Sequence, residues 1–392
     1  MAEGNSDRLI YLVAGEPSGD ALGAGLMRAL KEETDGAVGF AGIGGDAMVG
    51  EGLVSLFPME DLAVMGLAEV VPRLPLLIRR IGETVNDIKT RCPDAVVTID
   101  APDFSFRVAK RLVGAGVPLI HYVAPSVWAW RPGRAAKVAG FLNHLLALLP
   151  FEPPYFEAVG LGCTFVGHPV LECGADKADG AAFRERHGIA ADERLLLVLP
   201  GSRRGEISRH LPVFGESLGR LTGNDTVVRP VVVTLPHLRA AIEHGLADWP
   251  QEPLIVDGGN EKYDAMAAAN VALAASGTVS LELAMTGTPA VIAYRMNSLT
   301  AWLAKRLIKD PYASIVNLVL DRDAIPEKLL SDCTPEVLTD ELRSLFRDKQ
   351  KCDDQRRAYE TALQELAPPG GTPSRAAARA VLAAITAKQF GA

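Results

Sequence analysis

Leu9-Ile10-Tyr11-Leu12-Val13-Ala14-Gly15-Glu16-Pro17-Ser18-Gly19-Asp20 opens with an unbroken apolar run and closes on a polar turn punctuated by two glycines. A short continuous apolar run bounded by turn residues reads as a strand buried on both faces. The segment that follows carries Leu22, Leu26 and Leu30 at helical spacing, so the whole stretch predicts strand, glycine loop and helix. Moving outward, the same strand signal recurs at Val38 to Ile43, Ala95 to Ile99, Val117 to Val123 and Leu145 to Leu149, each separated by helix-length sequence. It pauses after Gly167-His168-Pro169 and resumes at Leu195 to Leu199, Val227 to Val233, Leu254 to Val256, Val271 to Ala275 and Ala290 to Ala293. Strands alternating with helices imply parallel sheets covered on both faces. The predicted class is therefore α/β, with two doubly wound Rossmann-like domains facing a cleft and a boundary near Pro169 to Gly180. Residues 1–170 form the first domain in this reading and 171–367 the second. The Pro368-Pro369-Gly370-Gly371-Thr372-Pro373 run sets off 368–392 as a last helix that packs back on the first domain.

Bulk properties narrow the function. A length of 392 residues suits two cores rather than one. A net charge of −8 argues against a broad nucleic-acid surface, because neutralising phosphates needs clustered Lys and Arg. Five scattered cysteines, odd in number and without a C-x-x-C pair, fit neither a disulfide framework nor a zinc site and suggest a reducing cytoplasm. Met1 to Asp7 lacks the basic and apolar regions of a signal peptide, so no export is expected. The uncharged stretch Leu112 to Trp130 is interrupted by Pro118, His121, Pro125 and Ser126 and reads as strand, turn and loop, not a membrane span.

In doubly wound sheets ligands bind beyond the carboxyl ends of the strands, so the loops that follow strands carry the chemistry. Five such loops stand out. In Ala14 to Asp20, glycines allow close backbone approach and a helix start offers N–H groups to anions or hydroxyls, although the dinucleotide pattern G-x-G-x-x-G is absent. Asp100, after Val96 to Ile99, is placed to take a proton from an attacking hydroxyl, whereas Asp103 in the first helical turn complements the helix dipole. His121 to Arg131 is dense in rings and polar groups, suited to a phosphorylated sugar or else to a core aromatic cluster beneath a loop. In Leu199 to Glu206, Gly201 and Ser202 offer donors to a diphosphate and Arg203 supplies charge to a leaving group, while Arg204 and Glu206 read as a solvated helix start. In Ala275 to Glu282, Ser276 or Thr278 can cap the helix and touch phosphate, and Glu282 can accept ribose hydroxyls.

Taken together these loops resemble the lipid-A-disaccharide synthase family of inverting glycosyltransferases, which has the two-domain B-type fold. The resemblance is carried by the residues of 14–20, 99–104, 121–131, 149–152, 167–169, 199–203 and 275–278 and covers nearly the whole chain. It implies transfer of 2,3-diacylglucosamine from its UDP donor to 2,3-diacylglucosamine 1-phosphate, forming a β-1,6-linked disaccharide and UDP, without a metal or other cofactor. It further implies Asp100 as general base and Arg203 on the diphosphate, with Gly201, Ser202, Ser276, Gly277, Thr278, Glu282 and Asn317 lining the nucleotide side. Glu16, Ser18, Gly19, Asp20, Ser126, Trp128 and Arg131 fall to the acceptor side. The chain departs from the family pattern at Gly45-Asp46-Ala47, where Gly-Pro-Arg is common, and at Leu320-Asp321-Arg322-Asp323.

Leu62 to Ile81 mixes Val70, Val71, Leu74, Leu76 and Leu77 with Arg73, Arg79 and Arg80. From pattern alone it is a buried core helix or a surface that dips into anionic lipid. Diacylated substrates favour the second, and with it a cytoplasmic protein held peripherally at the inner membrane. Two rivals remain: a UDP-N-acetylhexosamine epimerase or other sugar transferase of the same fold, and a non-catalytic lipid- or nucleotide-binding protein.

Overall fold

A computed structural model describes residues 8–62, 67–130, 133–222, 227–296 and 312–390. The chain divides into two compact units, one of residues 1–169 with 366–392 and one of 170–365.

The first unit holds six parallel strands: β1 (Arg8–Ala14), β2 (Val38–Ile43), β3 (Ala95–Ile99), β4 (Leu119–Tyr122), β5 (His144–Ala147) and β6 (Gly162–Phe165). They lie side by side in the order β2-β1-β3-β4-β5-β6. The apolar run that opened the sequence becomes β1, and its alternation serves two cores. Tyr11 and Val13 enter one buried cluster with Val85, Ile88 and Phe104, while Ile10, Leu12 and Ala14 enter another with Leu26 and Leu30. A strand buried on both faces needs apolar residues at every position, which is why β1 shows no polar alternation. The helix Pro373–Phe390 buries Ala377, Ala378, Val381 and Ile385 in that second cluster. Arg375 and Arg379 then pair with Glu33 at 2.9 and 3.0 Å. Exposed pairs of this kind add little stability; the apolar face holds the helix down.

The second unit repeats the plan with β7 (Leu195–Leu199), β8 (Arg229–Thr234), β9 (Leu254–Asp257), β10 (Val271–Ala275), β11 (Ala290–Tyr294) and β12 (Glu327–Leu329). Their order is β12-β11-β10-β7-β8-β9, again parallel. β6 and β12 carry no strand signal in the sequence. Both are edge strands, four and three residues long, half-buried or exposed at most positions, and so lack a continuous apolar run.

Strand order locates the ligand edge of each sheet. In the first unit the chain steps from β1 out to β2 and returns to the other side of β1 as β3. In the second it steps from β7 through β8 and β9 and returns as β10 on the other side of β7. Where the direction of winding reverses, the flanking loops diverge and leave a crevice at the carboxyl ends. The loops after β1 and β3 flank one such point, and the loops after β7 and β10 the other.

Candidate functional site

At the switch point of the first unit, the loops after β1 and β3 touch. Gly15 is required there: a Cβ on it would sit 2.9 Å from the Cβ of Ala101. Asp100 and Ala101 both adopt left-handed backbone, with φ of 50° and 42°. L residues resist this conformation at about 1–2 kcal/mol each, and Asp tolerates it better than Ala. The strain is held by the Asp100 N–H donating to the Tyr122 carbonyl at 3.0 Å and the Ser105 hydroxyl donating to the Asp100 carbonyl at 2.9 Å. It turns the Asp100 side chain out of the sheet edge, where the Ser18 hydroxyl donates to Oδ2 at 3.3 Å. Ala101→Gly is accordingly expected to stabilise the protein by about 1 kcal/mol, the relief of strain less the greater freedom of unfolded glycine. A melting temperature that falls would show that the left-handed turn is not strained.

The other residues expected on the acceptor side divide. Glu16 stands at the N-cap of the helix Pro17–Glu33, Ser18 is exposed in its first turn, and Gly19 packs against the end of β3. Asp20 is buried, and its two oxygens accept the N–H groups of Gly45, Ala47 and Met48 at 2.8, 2.9 and 3.1 Å. The expectation that Asp20 contacts acceptor is corrected: its carboxylate caps the helix Asp46–Gly50, at the place where Gly45-Asp46-Ala47 departs from the family pattern. Within 121–131, His121 and Tyr122 are core residues. Burial pushes the imidazole of His121 down to about 3, and it bonds Thr98 at 2.8 Å and meets Phe106 edge-on. Ser126 is exposed and Trp128 partly so, and Arg131 lies outside the described residues.

Trp128 leads to an acid that sequence reading left without a role. Glu152 is buried, and burial pushes its carboxyl up to about 7 although three N–H groups favour the charged form. Those donors are Leu148 and Leu149 on Oε2, at 3.2 and 3.1 Å, and the Trp128 indole on Oε1 at 3.3 Å.

At the switch point of the second unit a cavity of about 450 Å³ brings together Gly201, Ser202, Arg203, Ser276, Gly277, Thr278 and Glu282, with Glu206 and Lys262. The helices Arg204–Thr222 and Val279–Thr286 both begin at it, so two positive dipole ends face one space. Gly201 has φ +117°, and a Cβ there would lie 2.5 Å from Glu206 Oε2. That contact overturns the reading of Glu206 as solvated: it is only 8% exposed. Its carboxylate accepts the Ser202 N–H at 3.1 Å, and Arg203 and the Tyr294 hydroxyl at 3.3 Å each. Glycine at 201 and glutamate at 206 are thus one device that shapes the loop from within. Arg204 is exposed, as a helix start in water would be. His210 braces the loop from below: Nδ1 donates to the Pro200 carbonyl at 2.7 Å and Nε2 accepts the Arg295 N–H at 3.0 Å. Burial lowers its pKa, which keeps the ring in this neutral form.

Neither Ser276 nor Thr278 caps the helix by its side chain; the Ser276 hydroxyl donates to the Ala313 carbonyl at 3.0 Å. Glu282 Oε1 accepts Lys262 at 2.8 Å and the Tyr263 hydroxyl at 3.4 Å. Asn317 is not on the cavity. It is fully buried, donates to the Ile325 carbonyl and to Glu327, and accepts the N–H groups of Ala324 and Ile325 at 2.9 Å each. Its amide holds the 321–327 turn, so the expectation of a nucleotide contact through it is corrected. Asp321 and Asp323 are exposed and do not line the cavity, and no group of three metal-binding side chains occurs among the described residues.

The helix Leu67–Arg91 is a core helix along its second half, where Ile81, Val85 and Ile88 are buried. Toward its start the balance changes: Leu74 is 39% and Ile78 49% exposed, flanked by exposed Arg73 and Arg79. Leu76 is half-buried, and Leu77 packs against the core. Arg80 is turned inward, paired with Asp61 and stacked on Phe57 at 4.4 Å. The side chains of Val70 and Val71 lie outside the described residues. No helix among the described residues is long and apolar enough to cross a membrane.

A family profile described as lipid-A-disaccharide synthetase matches residues 10–381. The lipid-A-disaccharide synthase of Rhodospirillum centenum is 54% identical over 380 residues, covering 96% of this chain and 95% of the relative. That of Paramagnetospirillum magneticum is 47% identical over 378 residues, covering 95% and 97%. Among solved structures, MurG of Acinetobacter baumannii superposes with a TM-score of 0.54 at 14% identity, covering 97% of this chain and 99% of its own. The UDP-GlcNAc 2-epimerase of Neisseria meningitidis bound to UDP-GlcNAc superposes with a TM-score of 0.61 at 10% identity, covering 91% and 98%. At such identities the structures establish a shared fold and no more, so they do not choose between transferase and epimerase. The sequence relatives do.

Proposed function

The chain belongs to the lipid-A-disaccharide synthase family of glycosyltransferases, and from that premise we propose that it transfers 2,3-diacylglucosamine from UDP-2,3-diacylglucosamine to 2,3-diacylglucosamine 1-phosphate. The product is the β-1,6-linked disaccharide 1-phosphate. The observation that carries this reading is the second unit's cavity, where two helix starts, Arg203 and Glu282 converge. Helix N-termini and a guanidinium suit a diphosphate, and a carboxylate suits the paired hydroxyls of a ribose. In the first unit Asp100 acts as general base: it takes the proton of the acceptor's 6-hydroxyl as that oxygen attacks the anomeric carbon. The bond to UDP breaks on the opposite side, which inverts the centre, and Arg203 stabilises the charge that develops on the departing diphosphate. Ser18 orients Asp100, and Glu16, Gly19, Ser126 and Trp128 form the acceptor's surroundings. Asp20 holds the neighbouring helix. A transfer assay with radiolabelled donor and both diacylated sugars, followed by linkage analysis, tests the proposal. Labelled β-1,6 disaccharide is the expected product; a labelled UDP-sugar with altered stereochemistry, or no turnover, would overturn it.

Diacylated substrates reside in a bilayer, so the proposal includes a cytoplasmic protein in peripheral contact with anionic lipid at the inner membrane. Leu74 and Ile78, exposed and edged by Arg73 and Arg79, support it. Burying each residue is worth up to about 1.5–3 kcal/mol, so the double change Leu74→Ser and Ile78→Ser is expected to weaken binding to anionic vesicles by about tenfold or more at an unchanged melting temperature. Unaltered co-sedimentation would remove this helix from the membrane contact. Leu77 is unsuited to the test because it packs against the core.

A further inference from the structure

We propose that Glu152 is a positioning residue for the acceptor side, a buried carboxylate that fixes the indole of Trp128 between the loops that follow β4 and β5. The inference rests on the reading that Trp128 walls the acceptor. Trp128 belongs to the short helix Val127–Trp130 after β4, and Leu148 and Leu149 follow β5, so Glu152 ties together two adjacent loops at the ligand edge of the sheet. The Glu152 N–H donates to the Leu149 carbonyl at 3.2 Å, and its side chain accepts the N–H groups of Leu148 and Leu149, so the residue braces the turn. Beyond that brace, the side chain adds the link to the indole. The preceding residue completes the grip: the Phe151 ring meets Trp128 edge-on, with centroids 5.4 Å apart and planes at 85°. Phe151 therefore sets the plane of the indole and Glu152 the direction of its N–H.

A buried carboxylate with no cation partner is costly unless its oxygens are hydrogen-bonded, and packing alone would favour an apolar residue at this place. Among the described residues no Lys, Arg or His bonds to Glu152. Among the described residues the titratable group in electrostatic contact with it is Cys163 of β6, anionic when ionised. Among the described residues its stabilisation comes from three N–H groups, one of which belongs to a partly exposed tryptophan.

A double-mutant cycle tests the proposal, reading acceptor KM, donor KM, kcat and melting temperature. In Glu152→Gln the amide presents one oxygen and one NH2, so the backbone N–H groups and the indole cannot all be met. Trp128→Phe keeps an aromatic ring beside Phe151 while removing the indole N–H together with part of the bicyclic ring. Each single change is expected to raise acceptor KM about tenfold, the scale of a lost hydrogen bond to a charged group, and to leave donor KM unaltered. The double variant should be no worse than either single, because both remove the same link. Additive effects, or an acceptor KM in Trp128→Phe within twofold of the parent, would overturn the inference, and the second of these holds even if Glu152→Gln fails to fold. Trp128→Ala separates the two layers: if it leaves acceptor KM untouched, the reading of Trp128 itself fails; if it raises acceptor KM while the cycle is additive, only the role of Glu152 fails.

Discussion

Asp100→Asn is expected to lower kcat by about 10²–10⁴-fold while UDP binds as tightly as before, the loss usual when a positioned general base is removed. Asparagine is the substitution that isolates the chemistry. Residue 100 has φ of 50°, which Asn and Asp accept far better than Ala, so alanine would add a change in backbone strain to the loss of the carboxylate. The Asn side-chain oxygen can still accept from the Ser18 hydroxyl, which donates at 3.3 Å. The comparison then reports on the base alone. A kcat within tenfold of the parent, with folding intact, would assign the proton to another group.

Arg203→Met is the second large effect, an expected fall in kcat/KM of about 10²–10³-fold from the lost stabilisation of a leaving diphosphate. The side chain is 64% exposed, and its one described bond is a 3.3 Å contact to Glu206. An incoming diphosphate can therefore capture the guanidinium cheaply, because Glu206 keeps the Ser202 N–H and the Tyr294 hydroxyl. UDP affinity should weaken and uridine affinity should not, since the nucleoside is assigned to Glu282 and its neighbours. Equal weakening of both would place Arg203 in shaping the cavity rather than in binding charge.

Legibility differed from residue to residue for reasons of geometry. The strands β1, β3, β7 and β10 announce themselves because a strand buried on two faces must be apolar throughout. The loops after β7 and β10 announce themselves because glycines followed by helical periodicity mark a backbone that must approach something closely. Asp20 and Asn317 read as site residues by the company they keep in the chain, yet three backbone N–H groups bond the carboxylate of the one, and the amide of the other bonds backbone groups of the turn it braces together with Glu327. Glu206 read as solvent-facing because, with Arg204, it stands at a helix start, and only the missing Cβ of Gly201 makes room for it inside the loop. The signal existed as the pair Gly201 and Glu206, but their contact across a left-handed backbone is invisible to spacing. Glu152 shows the same limit: a lone acid after an aromatic residue carries no sign of an indole 24 positions away.

By itself the sequence determined that the chain is an α/β protein of two units, which loops leave the strands on the ligand side, and which family's motifs those loops carry. These are properties of local composition and order along the chain. Only the tertiary structure decided which loops meet. The return of β3 beside β1, and of β10 beside β7, opens each sheet at one point, and this selects the loops after those strands from all the others. It also decided which polar side chains still have hydrogen-bonding capacity to offer a ligand. That depends on donors and acceptors brought together from distant positions, and no one-dimensional pattern records it.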